Sequence, residues 1–461
     1  MPINYYSTNR NLKSIAGIIP FDGCVSFKEA LLAGQAPDEG LFVPDFIPQL
    51  SLRDIPNLKG KPYWETALLV AKAFLADEYS AEVLADVVKD AYNYPVPLEE
   101  VYPKAFVMRL DQGPTASFKD FAARMMARLM SHCRPQGEIL NILVATSGDT
   151  GSAVGEAFKG VPGIDVTILY PTEEVSLWQK KQLDTIGNNV QALSVYGKFD
   201  DCQNLVKQAF SDPELAKFNL TSANSINFGR ILPQIIYYVY AYAQLAAPGE
   251  EIVFSVPSGN FGNALGCEYA RRMGLPVAKL VMPTNENDEF PSYLKTGIYR
   301  KVSPSRACIS NAMNVGHPSN LARFFELYGG TVDRAGFVHH YPDIEKIRQH
   351  IFSVSITDNE TRETIKSTFE RYSTVLEQHG AVGWAGLETY RKVTGDKNLV
   401  VSLETAHPAK FPEEIEKLLG FIPELPESMN GIDQRQGSAV VMTNNYDNFK
   451  NYLQSNLKIK E

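Results

Sequence analysis

Lys119 stands where a lysine has little reason to be unless its amine is used. In the segment TASFKDFAARMMARLM, from Thr115 to Met130, it lies between small hydroxyl residues and a run that reads as an apolar helix. Burying an ammonium is costly and lowers its pKa, so a lysine in this setting tends toward the neutral nucleophile that forms a Schiff base with an aldehyde. For Ser-Phe-Lys-Asp taken alone, a solvated first-turn lysine is the plainer reading. The rest of the chain decides between them.

Three turns, each leaving an apolar strand and opening a helix, offer seats for anions, and ligands of open α/β sheets sit at the carboxyl ends of strands. In the first, Val144 and Ala145 end a strand and Thr146-Ser147-Gly148-Asp149-Thr150-Gly151 follows. Backbone N–H groups, hydroxyls and a helix N-terminus suit a carboxylate there, although Ser147 or Asp149 could simply cap the helix. In the second, SVPSGNFGNALG from Ser255 to Gly266, the glycines Gly259, Gly262 and Gly266 permit close backbone approach, as in a phosphate cup. Tight strand-to-helix packing is the alternative. The spacing is neither the dinucleotide fingerprint nor the nucleotide P-loop. The third, SLETAHPAKF, presents Thr405 and His407 before Pro408.

The elements that must position these groups are legible as alternation. From about Val101 short apolar strands are followed by glycine-bearing turns and helices, and a second such block begins at EIVFSVPSGNFG, near Glu251. The pattern predicts an α/β fold of two lobes with mainly parallel sheets and a cleft between them. The first hundred residues read as mainly helical, through EALLAG from Glu29 and YWETALLVAKAFLA from Tyr63, with no chemistry visible. The expected division is residues 1–98, 99–240 and 241–461. The most apolar run, ILPQIIYYVYAYAQLAA, contains Pro233, Gln234 and Gln244 and predicts a buried helix starting near Pro233 rather than a membrane span. The terminal KIKE reads as a frayed end.

Composition narrows the function. The 461 residues carry a formal net charge of -9, with no basic stripe, which argues against nucleic acid as a partner. Five widely spaced cysteines without a Cys-x-x-Cys pair fit reduced thiols, and the amino-terminal residues lack a secretory pattern, so a cytoplasmic location is expected. His339 and His340 adjoin a tyrosine with no Cys or acidic partner at metal spacing, and no metal is expected.

Together GPTASFKDFAAR around Lys119, ATSGDTGSA around Gly148, SANSINFGRILPQ around Arg230, PSGNFGNALG around Asn260 and ETAHPAKF around Thr405 resemble the threonine synthases, fold-type II pyridoxal-phosphate enzymes built like the tryptophan synthase β chain. YYSTN and FKEALLAGQAPDEGLFVP extend the resemblance to the amino-terminal region, as in the longer-chain class. The resemblance implies that Lys119 forms the Schiff base with pyridoxal 5'-phosphate, that Gly259, Asn260, Phe261, Gly262 and Asn263 surround the cofactor phosphate, and that Thr405 meets the pyridine nitrogen. A hydroxyl there leaves that nitrogen less firmly protonated than a carboxylate would.

The same resemblance implies O-phospho-L-homoserine as substrate, with L-threonine and phosphate as products and a monomer as the working form. Ser147, Gly148, Asp149 and Thr150 would take the α-carboxylate; Asp149 stands where many relatives in the wider superfamily carry Asn. Arg230 is the best anchor for the substrate phosphate, because a guanidinium can grip it bidentately, although a surface ion pair is the plainer reading of a lone arginine. Ser225 and Asn227 could supply neutral donors, and Thr115, Ser117 and Lys181 are weaker members of the pocket. His407 faces the cofactor under this reading without a necessary proton-transfer role. A related phospho-lyase or hydroxyamino-acid dehydratase is the alternative within enzymes. A cofactor-free module that binds a phosphometabolite is the alternative outside them, and it has no use for Lys119.

Overall fold

Every strand of the two large sheets except one edge strand runs parallel to its neighbours. The computed structural model describes residues 2–12, 19–432 and 434–459; Lys460 and Glu461 of the expected frayed tail lie outside them. One sheet has five strands in the spatial order Val440–Thr443, Val190–Tyr196, Ile164–Pro171, Leu140–Ala145, Leu220–Thr221. The other has six, ordered Ile351–Phe352, Val277–Val281, Ile252–Ser255, Leu399–Glu404, Ala105–Arg109, Leu98–Tyr102, with only the last pair antiparallel. Leu140–Ala145 and Leu399–Glu404 are buried along their whole length. Strands covered by helices on both faces read as near-continuous apolar runs, broken in these two only by Asn141, Ser402 and Glu404.

The sheets interleave along the chain. Ala105–Arg109, from the stretch expected to build the first lobe, pairs with Leu399–Glu404 in the six-stranded sheet. Val440–Thr443, from the stretch expected to build the second, pairs with Val190–Tyr196 in the five-stranded sheet. The division at residue 240 is therefore crossed twice, because partners in parallel sheets are chosen by long crossovers that local pattern does not encode.

The amino-terminal region holds the helices Phe27–Ala33, Tyr63–Leu75 and Ala81–Ala91, and also a three-stranded antiparallel sheet of Cys24–Val25, Tyr5–Ser7 and Phe42–Pro44 whose strands are too short to show alternation. Ser26 and Glu29 close a capping box that starts the first of these helices. The ring of Tyr63 packs edge-on against Tyr92, Phe121 and Tyr240 at 5.0–5.3 Å. This joins the region to the helix Lys119–Cys133, which carries Phe121, and to the helix Pro233–Leu245, which carries Tyr240.

The helix Pro233–Leu245 starts at the residue the sequence marks. Proline suits a first turn, where its missing N–H costs nothing. Ten of its thirteen residues are buried, and the hydroxyls of Tyr237 and Tyr238 end on Asn263 at the cleft. None of the described helices is long and apolar enough to cross a membrane.

Candidate active site

Lys119 is the first residue of its helix, Lys119–Cys133, and its side chain is 14% exposed, opening into a cleft between the two sheets. The preceding loop is fixed by the strand that ends at Glu404: Phe118 N–H donates to Thr405 O at 2.9 Å, Ser117 bridges Ala406, and His407 N–H donates to Ala116 O. Burial lowers the pKa of Lys119, the Asp149 carboxylate raises it, and Lys410 and Arg230 lower it again, with a net shift downward. The amine is thus biased toward the neutral form that attacks an aldehyde.

The opposite wall is the glycine cup. Pro257, Ser258, Gly259, Asn260, Phe261 and Asn263 line the same cleft as Lys119, at the start of the helix Gly262–Arg272. Phe261 adopts the left-handed conformation, φ 69°, and its ring is held by Phe290 and Phe324 at 4.9 and 6.0 Å. A non-glycine residue persists there only when packing fixes it. A Cβ at Gly259 would lie 3.0 Å from Met313 Cα, so the loop Ala312–Met313 closes directly over the turn.

The residues present fit a bound phosphate. Among the described residues, the N–H groups of Gly259, Asn260 and Phe261 donate to no protein acceptor, and they sit at the positive end of an eleven-residue helix. Asn263 offers a buried Nδ2 without a partner, while its Oδ1 accepts from Tyr237 and Tyr238 at 2.5 Å each. Thr405, 7% exposed, lines the cleft beside Lys119, where the ring of an aldehyde cofactor spanning lysine and cup would lie.

The turn after Ala145 departs from a plain cap. Gly148 has φ 133° and no side-chain cap bond forms; Thr146 Oγ1 instead accepts from the N–H groups of Gly148 and Gly151. A Cβ at Gly148 would strike the Gln179 side chain. Ser147 is exposed and Thr150 half-buried at the mouth of this turn. Asp149 points its Oδ2 at Lys119 Nζ, 3.5 Å away, and its Oδ1 accepts from Lys410 Nζ at 2.6 Å and Gln179 Nε2 at 3.1 Å. Burial alone would raise its pKa, but Lys410 and Lys119 bring it well below the usual carboxylate range.

Arg230 is buried and makes no ion pair among the described residues; one guanidinium nitrogen donates to Ala223 O at 3.0 Å and Nε has no partner. Burial pulls its pKa down to about 10. A buried guanidinium without a counter-ion suits an incoming anion, not the surface pair that a lone arginine suggests. Ser225 sits nearby in sequence, its Oγ accepting from Asn260 Nδ2 at 3.2 Å and so tying this segment to the cup.

Asn227 and Thr115 both have protein partners for their side chains. Asn227 Nδ2 donates to Leu31 O and Ser222 O while Oδ1 accepts from Gly229 N–H, so its polar atoms are occupied in capping the turn Phe228–Arg230. It orients Arg230 and has no donor left over. Thr115 Oγ1 donates to Asp120 at 2.7 Å, and Ser117, fully buried, lies 3.5 Å from that hydroxyl. Lys181 donates to Arg435 O, on a different element from the cleft lining. His407 Nδ1 accepts from Ala409 N–H, capping its own turn, and burial with Arg109 and Lys410 pushes its pKa down to about 4.

Two residues that sequence reasoning missed belong here. Lys410, in the quoted ETAHPAKF, is wholly buried; the signal was a lysine inside an otherwise apolar turn ending in Phe411. His379 lines the cleft with Glu377 Oε2 2.6 Å from its Nδ1, and its Nε2 accepts from Ala312 N–H, which assigns the proton to Nδ1 and holds the loop over Gly259. Elsewhere Glu286, Cys308 and Asp358 bring ligand atoms within 4.8 Å of one another, the one such group among the described residues.

Two parallel sheets meeting at an imine-competent lysine and a glycine cup define a pyridoxal-phosphate-dependent enzyme, and the family model described as pyridoxal-phosphate dependent enzyme matches residues 94–405. Models for the threonine synthase N terminus and C-terminal region match residues 19–92 and 380–453. The threonine synthase of Haemophilus influenzae is 39% identical, covering 93% of this chain and 96% of its own. The crystal structure of the cofactor-bound threonine synthase from Brucella melitensis superposes with a TM-score of 0.90 at 35% identity, over 99% of this chain and 100% of its own. The yeast enzyme gives 0.86 at 29%, over 98% of each chain. The chain belongs to the threonine synthase family. It is a lyase that works with pyridoxal phosphate.

Proposed function

We propose that this chain makes L-threonine and phosphate from O-phospho-L-homoserine and water, closing threonine biosynthesis. The observation that carries the reading is the buried guanidinium of Arg230, which has no ion-pair partner among the described residues and lies close enough to Lys119 to bear on its charge, in a chain whose relatives are threonine synthases. Pyridoxal phosphate supplies an electron sink that acidifies the α-carbon of a bound amino acid.

The chain's own groups do the rest. Gly259, Asn260, Phe261, Gly262 and Asn263 would hold the cofactor phosphate, through the free N–H groups of Gly259, Asn260 and Phe261 and the spare Asn263 Nδ2, and Thr405 would serve the pyridine nitrogen. Lys119 would hold the cofactor, and its amine, when free, would take and return protons at the carbons within its reach. The turn Ser147–Thr150 would hold the α-carboxylate through the N–H groups that Thr146 Oγ1 does not occupy. Arg230, with Ser225, holds the departing phosphate, whose oxygens can assist proton removal near the carbon they leave. Phe118, Met313 and Ala406 wall the cleft with apolar surface that would limit the entry of water. The same reading takes the chain as a cytoplasmic monomer; both walls of the cleft are built by one chain.

The test is to mix holoprotein with O-phospho-L-homoserine and quantify threonine, 2-oxo acid and phosphate together over time. Threonine and phosphate rising in equal amounts is the expected result. Phosphate with 2-oxobutyrate would make the chain a phospho-lyase, and no product despite bound cofactor would make the substrate wrong. Light scattering on the eluting protein checks the monomer.

A further inference from the structure

Asp149 is shared unequally between two lysines. Its Oδ1 takes Lys410 Nζ at 2.6 Å and Gln179 Nε2 at 3.1 Å, whereas its Oδ2 only faces Lys119 Nζ at 3.5 Å. Lys410 is wholly buried and has a second anchor, Thr115 O at 3.1 Å. Thr115 is in turn clamped by Asp120, which accepts from its N–H at 2.8 Å and its hydroxyl at 2.7 Å. Lys410 therefore cannot swing away, and its backbone is fixed in the turn Pro408–Lys410 that follows the six-stranded sheet.

A buried lysine beside a buried carboxylate normally forms a tight ion pair that keeps the amine protonated. Such a pair would defeat imine formation. We propose that Lys410 is a positioning residue: it tethers and neutralises Asp149, so that the carboxylate can orient Lys119 without locking its amine into an ion pair. The inference deepens the reading above and rests on Lys119 being the imine-forming amine.

The charged and titratable groups facing Lys119 fit this arrangement. Asp149 comes from the helix Asp149–Phe158, Lys410 from its turn and Arg230 from the turn Phe228–Arg230; His379 lines the same cleft, Asp120 lies behind with Thr115, and the Phe118 ring lies 4.9 Å from the amine. Of these, Asp149 alone among Asp149, Lys410 and Arg230 favours the ammonium, and the other two oppose it together with burial. Removing Lys410 takes away one opposing charge and leaves Asp149 to Lys119 and Gln179.

The test reads the charge state of Lys119 directly, in the full-length chain before cofactor is added. Competitive acetylation across pH, with the Lys119 peptide followed by mass spectrometry, gives the midpoint at which the amine becomes reactive. Lys410→Met should move that midpoint upward by about one unit, a roughly tenfold drop in Lys119 labelling at pH 7. Asp149→Asn should move it downward, and the double variant should return close to the parent. A packing role for Lys410 predicts otherwise. An unchanged midpoint in Lys410→Met, or a double variant that keeps the full upward shift, overturns the proposal. Should Lys410→Met fail to fold by circular dichroism, Lys410→Gln replaces it, keeping a donor to Asp149 without the charge, with the same upward shift expected. Borohydride reduction of the holoprotein, which shows whether the cofactor is joined to Lys119, separately tests the reading on which this rests.

Discussion

The two walls of the cleft manage charge by different means. The wall bearing Lys119 uses side chains: Asp149, Lys410 and Arg230 all bear on the charge of Lys119, and Lys410 and Lys119 hold the Asp149 carboxyl below its usual range. The wall bearing Gly259 uses backbone, with free N–H groups at a helix start and no charged residue in the turn from Pro257 to Asn263. Side-chain ions can be tuned and can carry protons, which suits the wall where bonds change. Backbone donors cannot titrate, which suits a wall proposed to hold one phosphate across every step. Mutations on the first wall should therefore change chemistry, and those on the second should change retention of the cofactor.

The sharpest way to break that contrast is Lys119→Ala. Threonine formation should fall by roughly a thousandfold or more, with no borohydride-stable link between cofactor and chain, while the phosphate cup still binds cofactor reversibly. Steady-state turnover and mass spectrometry after reduction check it, and a folded variant with ordinary turnover would sink the division. Arg230→Met comes next. Loss of a charge-assisted contact to phosphate, about 1.5–3 kcal/mol, should lower kcat/KM by roughly ten- to a hundredfold. Because the parent guanidinium is buried without a counter-ion, thermal stability should hold, and a large loss of Tm would recast Arg230 as structural.

Gly259→Ala probes the other wall. The new methyl would press on Met313 Cα at 3.0 Å and Ala312 O at 3.1 Å, an overpacking worth about 1–3 kcal/mol. Cofactor affinity measured by equilibrium dialysis should weaken about tenfold, with kcat at saturating cofactor close to the parent. The smallest effect concerns His407, whose pKa in the fold is pushed down to about 4. The unfolded chain then binds the proton first, so this residue's contribution is full above about pH 6.5 and is lost as pH falls toward 4. Discounted for its partial exposure, the loss is on the order of 1–2 kcal/mol, and His407→Gln should flatten that part of the denaturation profile, read by urea unfolding at pH 7 and pH 4.5.

Much of this site was legible because its marks are local. Pro233 announces its helix, the apolar strand followed by Gly259 announces the cup, and Lys119 before an apolar helix announces its own burial. What escaped depends on distant partners. Asn227 reads as a loop donor until Leu31, 196 positions away, is found to accept its amide. Lys410 reads as one more charged residue until Asp149, 261 positions away, is seen beneath it. Likewise nothing near Ala105 or Val440 says which sheet will receive it, since the choice is made by Leu399–Glu404 and Val190–Tyr196.

That exchange of strands has a consequence for how the molecule can be divided. Each sheet borrows from chain that otherwise serves its counterpart, so a cut near residue 240 frees neither half: the leading fragment would lack Val440–Thr443 at its sheet edge, and the trailing fragment would lack both Ala105–Arg109 and its edge neighbour Leu98–Tyr102. The two halves should instead behave as complementary pieces that regain order only on being mixed. Lys119 stands just past the first of these borrowings, where the chain passes from one sheet's layer to the other's, so the amine proposed to form the imine depends on both pieces for its place.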